Sequence, residues 1–202
     1  SWMFHHPGVE WTQLQAEAVG VPLATAETSG VKEEELAELQ QSLSGLISSY
    51  GIDCVVTGGI ASEYQKSRID RICDDLAIRT IAPLWRKDPA RVIHEQVSMG
   101  FEFILTACMA MGLDQSWLGR LVDDVALKEL ETIGRRYGLN LAFEGGEAET
   151  FVTDAPIFTK RIRILEARPI WAQDSGYLSI IRAELAEKDH ATKHLSERAG
   201  PP

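Results

Sequence analysis

"DCVVTGGIASEYQKSRIDRICDDLAIRTIAPLW", Asp53 to Trp85, decides the fold class. "CVV" is a short apolar run that ends in Gly58 and Gly59, "SEYQKSRIDRICDDLA" has helical periodicity, and "RTIAPLW" returns to a strand. Strand, helix and strand in alternation predict a parallel sheet of an α/β protein. In an open parallel sheet, ligands bind beyond the carboxyl ends of the strands, and Gly58-Gly59 falls at that end of "CVV". Ser62 and Gln65 have the S-x-x-Q spacing of a capping box, which places a helix N-terminus and its N–H groups beside the same crevice. On the helix, Ile69, Ile72, Cys73 and Leu76 form the apolar face. Tyr64, Arg68, Arg71 and Asp75 fall on another face, which reads either as an arginine pair for a phosphate or as an exposed stripe salt-bridged to Asp75.

Upstream, "TQLQAEAVG" predicts a short helix closed by Gly20, and "VPLATAET" (Val21 to Thr28) a strand. "VKEEELAELQQSLSGLISSYG" spaces Leu36, Leu39, Leu43, Leu46 and Ile47 as an amphipathic helix with Gly51 as its stop. Downstream the texture changes. A helix from Pro89 to Met99 leads to the strand "FEFILTACMA", a loop through "GLDQSWLGR", and a helix from Asp123 to Tyr137. "KRIRILEARPIWA" and "GYLSIIRAEL" then alternate as two strands joined at "QDSG". Strands that follow one another predict a second, smaller α+β domain. The expected organisation is therefore an α/β domain over residues 1–86, an α+β domain over 87–188, and a flexible polar tail over 189–202.

"FEGGEAETFVTDAP" gathers Glu144, Glu147, Glu149 and Asp154 around Gly145-Gly146 and runs into the apolar Phe151-Val152. A solvated turn and a shaped acidic site both fit that pattern.

Composition narrows the function. The 202 residues are 45% hydrophobic and 25% charged, enough for one large or two small domains. A net charge of -10 and a pI near 5.0 disfavour nucleic acid as a main partner. Cys54, Cys73 and Cys108 have no C-x-x-C spacing and read as reduced, buried thiols of a cytoplasmic protein. No apolar run approaches the ~20 residues of a membrane span. His5 and His6 have no neighbours at metal-ligand spacing, so no metal ligand is assigned. Trp117, beside a leucine, reads as a core anchor.

"GGIASEYQKSRIDRIC", together with "SWMFHHPGVEWTQLQAEAVGVPL", "IAPLWRKDP", "GLDQSWLGR" and "EGGEAETFVTDAP", resembles the diphthine-ammonia ligases, members of the PP-loop ATP pyrophosphatases. The similarity runs in order from Ser1 to about Ala167. It implies a partial Rossmann-like sheet of the HUP/PP-loop type followed by the α+β domain. It also implies ATP-dependent amidation of diphthine on translation elongation factor 2 by ammonia through an acyl-adenylate, with magnesium neutralising the phosphates. The resemblance implies nucleotide contacts from His5, Gly58, Gly59, Ser62, Tyr64, Gln65 and Arg68, with Lys66 a weaker candidate. It implies substrate contacts from Glu144, Gly145, Gly146, Glu147, Glu149 and Thr150, with Arg68, Glu147 and Glu149 in catalytic roles. The family's SGGKDS loop has no counterpart in these residues, so that part of the pyrophosphate grip is expected in a segment encoded upstream. A tRNA-modifying PP-loop enzyme, and a nucleotide- or elongation-factor-binding module without catalysis, are the alternative readings.

Overall fold

A computed structural model describes residues 8–31 and 33–188. Helix α1 (Thr12–Val19) ends at Gly20, whose left-handed φ of 81° lets its N–H return to the carbonyls of Ala16 and Glu17. Residues 21–31 carry no regular structure, against the strand expected from Val21 to Thr28. Pro22 cannot donate to a ladder, Val21 and Leu23 are exposed, and local bonds take over: the Gly30 N–H donates to Thr28 Oγ1 and the Ser29 N–H to the Glu38 carboxylate.

Helix α2 (Glu34–Tyr50) buries Leu43, half-buries the neighbouring leucines and stops at Gly51, φ 65°. Strand β1 (Cys54–Val56), helix α3 (Glu63–Asp75) and strand β2 (Arg79–Ile81) form the expected parallel unit, with Cys54 opposite Arg79 and Val56 opposite Ile81. The strand at "RTIAPLW" covers only its first three residues, because Pro83 and the turn behind it leave the ladder.

The remaining elements build an antiparallel sheet. Asp88 caps helix α4 (Pro89–Ser98) by accepting the Arg91 N–H at 2.8 Å, and Asp123 caps helix α5 (Asp124–Tyr137) through the N–H groups of Val125 and Ala126. With strands β3 (Glu102–Cys108), β4 (Ala148–Asp154), β5 (Arg161–Ala172) and β6 (Ser175–Ala186), the order is β4-β3-β6-β5. β5 and β6 form the expected hairpin around Gln173-Asp174. The fold is thus a mixed α/β protein with a parallel two-stranded sheet and a separate antiparallel four-stranded sheet.

One core joins Phe103, Leu105 and Cys108 of β3 to Ala126, Leu127 and Leu130 of α5 and to the buried Trp117, the anchor role expected of that tryptophan. The other face of β3 and β4 meets Ile162 and Ile180 of the hairpin and Ala18 of α1. Helix α1 therefore packs on the second sheet, and the Thr159 N–H and hydroxyl both donate to the Ala18 carbonyl. Among the described residues no helix is long and apolar enough to cross a membrane.

Candidate functional site

β1 delivers the glycine loop. The Thr57 N–H donates to the Ile81 carbonyl at 2.9 Å, extending the parallel ladder one residue past its last pair. Gly58 and Gly59 follow, and among the described residues a Cβ at either would meet nothing within 4 Å. Neither takes a positive φ, so neither packing nor backbone conformation there demands glycine, and what remains is open room for a ligand to reach the backbone. Ile60 is buried, and its carbonyl accepts the Arg86 N–H at 2.7 Å, tying this loop to the one after β2. Ser62 then caps α3, its hydroxyl accepting the Gln65 N–H at a long 3.4 Å.

The acidic bend is held from the other sheet. Phe143 is buried yet adopts φ 59°, a left-handed conformation that is costly for a bulky residue. Its carbonyl accepts the Gly146 N–H, and the Met109 N–H donates to the Glu147 carbonyl at 2.8 Å, so the bend is fixed to the end of β3. Glu147 folds back on the bend and accepts the Gly145 N–H at 2.8 Å. A Cβ at Gly145 would stand 2.6 Å from that carboxylate, the movable end of a flexible side chain, so Gly145 admits this fold-back without being demanded by the backbone; φ 80° explains the second glycine. Glu149 lies on β4 opposite Ala107, and the exposed Thr150 opposite Leu105.

Glu144 connects the two. Its carboxylate accepts the N–H of Ile60 and, at 2.5 Å, the N–H of Ala61, spanning 84 and 83 residues of sequence. The bend carrying Glu147 and Glu149 is therefore brought against the loop carrying Gly58 and Gly59.

Arg68 and Lys66 of α3 are already engaged. Arg68 donates from Nε at 3.1 Å and from Nη2 at 2.5 Å to one oxygen of Glu33, and its guanidinium lies 3.5 Å from the Tyr64 ring centroid. The hydrogen bond to Glu33 raises the Arg68 pKa further, while burial and the same glutamate push the Tyr64 phenol up. The expected stripe with Asp75 is thus replaced by a partner at the start of α2, where Glu33 takes φ 71°. Arg68, Arg71 and Asp75 do share a groove of about 450 Å3 with Glu33, Leu36 and Gln40. Lys66 pairs with Asp70 and lies 5.6 Å from the Trp85 ring centroid. Asp70 also accepts the Thr80 hydroxyl at 2.8 Å, and Lys66 first, then Thr80, holds its carboxyl below the usual range.

Gly58, Gly59 and Ser62 come together with Glu144 through Glu149, whereas Tyr64 and Arg68 turn toward α2. His5 lies outside the described residues. The sequence reading missed Glu33, Trp85 and Arg86; the last has φ 58° and bridges to Glu63 at 2.9 Å. The motif "IAPLWRKDP" was the available signal for Trp85 and Arg86.

Burial pushes the Cys108 thiol up to about 12 and raises Cys73 as well, which removes both as nucleophiles at neutral pH. Among the described residues no group of three or more His, Cys, Asp or Glu is placed to hold a metal ion. The arrangement offers an open glycine approach and carboxylates on the facing bend, and the Ile60 and Ala61 N–H groups are already filled by Glu144.

Residues 1–80 match the diphthamide synthase N-terminal domain and residues 88–186 the diphthamide synthase C-terminal domain. A Danio rerio protein named diphthine–ammonia ligase is 32% identical, over 89% of this chain and 75% of its own length. Proteins of the same name from Bos taurus and Schizosaccharomyces pombe are 26% and 28% identical, covering 100% and 94% of this chain and 78% and 33% of their own lengths. With both domains matched in order and the motifs of the glycine loop and the acidic bend facing each other, the chain belongs to the diphthamide synthase family.

Proposed function

We propose that the protein is a diphthine–ammonia ligase: it amidates diphthine on translation elongation factor 2, using ATP and ammonia, and yields diphthamide, AMP and pyrophosphate. Membership of a family whose named relatives carry that activity supports the enzyme class. The observation that carries the site is the Glu144 carboxylate on the Ile60 and Ala61 amides, which sets carboxylates beside an open glycine loop.

A carboxylate is a poor acyl donor at neutral pH. One diphthine oxygen therefore attacks the α-phosphorus of ATP and pyrophosphate leaves. Ammonia then attacks the acyl carbon, AMP leaves, and the surplus proton is lost to solvent or a nearby base. Such a sequence needs alignment, neutralisation of charge and exclusion of water. The glycine loop and the first turn of α3 receive nucleotide, with Ser62, Tyr64, Gln65 and Arg68 around it. Glu147 and Glu149 attract the cationic partners: the quaternary ammonium of diphthine, and ammonium. Magnesium, which needs only one or two protein carboxylates when phosphates supply its other oxygens, would neutralise the triphosphate.

The test is incubation of the full-length protein with ATP, ammonium and the diphthine form of elongation factor 2. AMP, pyrophosphate and the amide should form in equal amounts. AMP released without amide, or stimulated by tRNA in place of the factor, overturns the proposal.

A further inference from the structure

We infer that Glu144 is a positioning residue: by clasping the Ile60 and Ala61 N–H groups it sets the distance between the glycine loop and the acidic bend. The inference rests on the proposed reaction and deepens it, giving Glu144 a role distinct from substrate contact.

Both ends of the clasp are independently fixed. On the bend side, Phe143 is buried in the core of the four-stranded sheet, its carbonyl holds Gly146, and the Met109 N–H holds the next turn at Glu147. On the loop side, Thr57 is tied to Ile81, and the Ile60 carbonyl accepts the Arg86 N–H. Successive N–H groups that point one way make a cradle for an anion, and a carboxylate with two oxygens matches two of them. Each oxygen of Glu144 takes one amide. Its neighbours behave differently, since Glu147 is turned onto its own bend and Glu149 lies along β4. Glu144 thus bridges the bend to the glycine loop.

Each side has its own scaffold, so loss of the clasp leaves both folded and lets the bend drift from the loop. A misplacement on the order of 1 Å costs up to about a hundredfold in rate when two reactants must be aligned. Such drift lowers kcat and spares the KM of either substrate alone.

The experiment uses Glu144→Gln and Glu144→Ala in the full-length protein. Glu144→Gln keeps the shape but sets an amide NH2 against one N–H, so it is the variant to rely on should Glu144→Ala fold poorly. Proton–nitrogen spectra should show the Ile60 and Ala61 amide protons moving upfield in both variants. Turnover should fall by roughly tenfold or more, with KM for ATP and for elongation factor 2 within about twofold. Formate, which fits the space left in Glu144→Ala, should restore part of the turnover where chloride at equal ionic strength does not. Unmoved amide signals overturn the clasp. Moved signals with unchanged kcat, or a raised KM for ATP at constant kcat, overturn the positioning role. Wild-type protein that releases no AMP overturns the reaction and the positioning role with it, while the amide signals still report on the clasp.

Discussion

Arg68 reaches back to Glu33, and one carboxylate oxygen receives both its Nε and its Nη2. The guanidinium sits over the Tyr64 ring, and both Arg68 and Glu33 line the groove between α2 and α3. Nη1 also donates to the Tyr64 carbonyl at 3.3 Å, and the N–H groups of the fork beyond these bonds can meet a phosphate without first losing Glu33. In the full-length protein Arg68→Ala should raise KM for ATP roughly tenfold and depress AMP formation, with only a small drop in melting temperature. Unchanged turnover with a normal melting curve would make Arg68 a surface residue.

Gly58→Ala and Gly59→Ala separate ligand approach from folding. Both positions have open space for a Cβ and neither has a positive φ. Alanine there should leave stability unchanged or raise it by about 0.5 kcal/mol, since it narrows the unfolded ensemble. Binding should move the other way, with ATP affinity falling roughly tenfold if the nucleotide packs on this backbone. Thermal denaturation with calorimetric titration checks both halves, and unaltered ATP affinity would take the loop out of the nucleotide site.

How far the fold was legible depends on the range of the forces involved. The leucine spacing of α2, its stop at Gly51, the caps at Ser62 and Asp123 and the β5–β6 hairpin are local, and each was legible in the sequence. Val21 to Thr28 has the composition of a strand, but a strand needs a neighbour, and composition carries no information about one. The stripe salt-bridged to Asp75 is one of two readings of that face, and Asp75 lies seven residues from Arg68, two helical turns or about 10 Å along the axis, too far for Arg68 to pair with it. The actual partner, Glu33, is 35 residues away in the chain. The Glu144 clasp crosses more than 80 residues, and the positive φ of the buried Phe143 and of Arg86, whose N–H donates to the Ile60 carbonyl, is not signalled by residue type. The glycine loop and the acidic bend were thus each readable, and the Glu144 contact through which they meet was not.

Asp70 links α3 to β2 and makes stability depend on acid. It accepts from Lys66 and from Thr80, and its folded pKa lies below the ordinary aspartate value of about 3.9. A group depressed in the folded state stabilises fully above its unfolded pKa and loses that contribution as pH falls through the folded one. Asp70→Asn should therefore melt below the wild type at pH 7, and the gap should close as pH falls below about 4. Melting curves at a series of pH values check this, and a gap that persists into strong acid would assign the loss to packing alone.

Glu147 can be moved without changing its charge, or neutralised without being moved. A Cβ on Gly145 would fall 2.6 Å from Oε1 and 3.0 Å from Oε2 of Glu147, so Gly145→Ala forces the carboxylate off the Gly145 amide while the backbone, which has no positive φ there, stays unstrained. Glu147→Gln and Glu149→Gln keep the shape and remove the charge. A quaternary ammonium has no N–H to donate, so its attraction to these residues is Coulombic, weak in open water and several-fold stronger in a crevice of lower effective dielectric. If Glu147 attracts a cation over a distance, Glu147→Gln should raise KM for the diphthine form of elongation factor 2 by roughly tenfold, Glu149→Gln should do likewise, and Gly145→Ala should act less strongly. All three should bind ATP with magnesium as the wild type does. Loss of ATP binding in the two glutamine variants would instead make the carboxylates ligands of magnesium, and normal amidation in all three would leave the bend as a solvated turn.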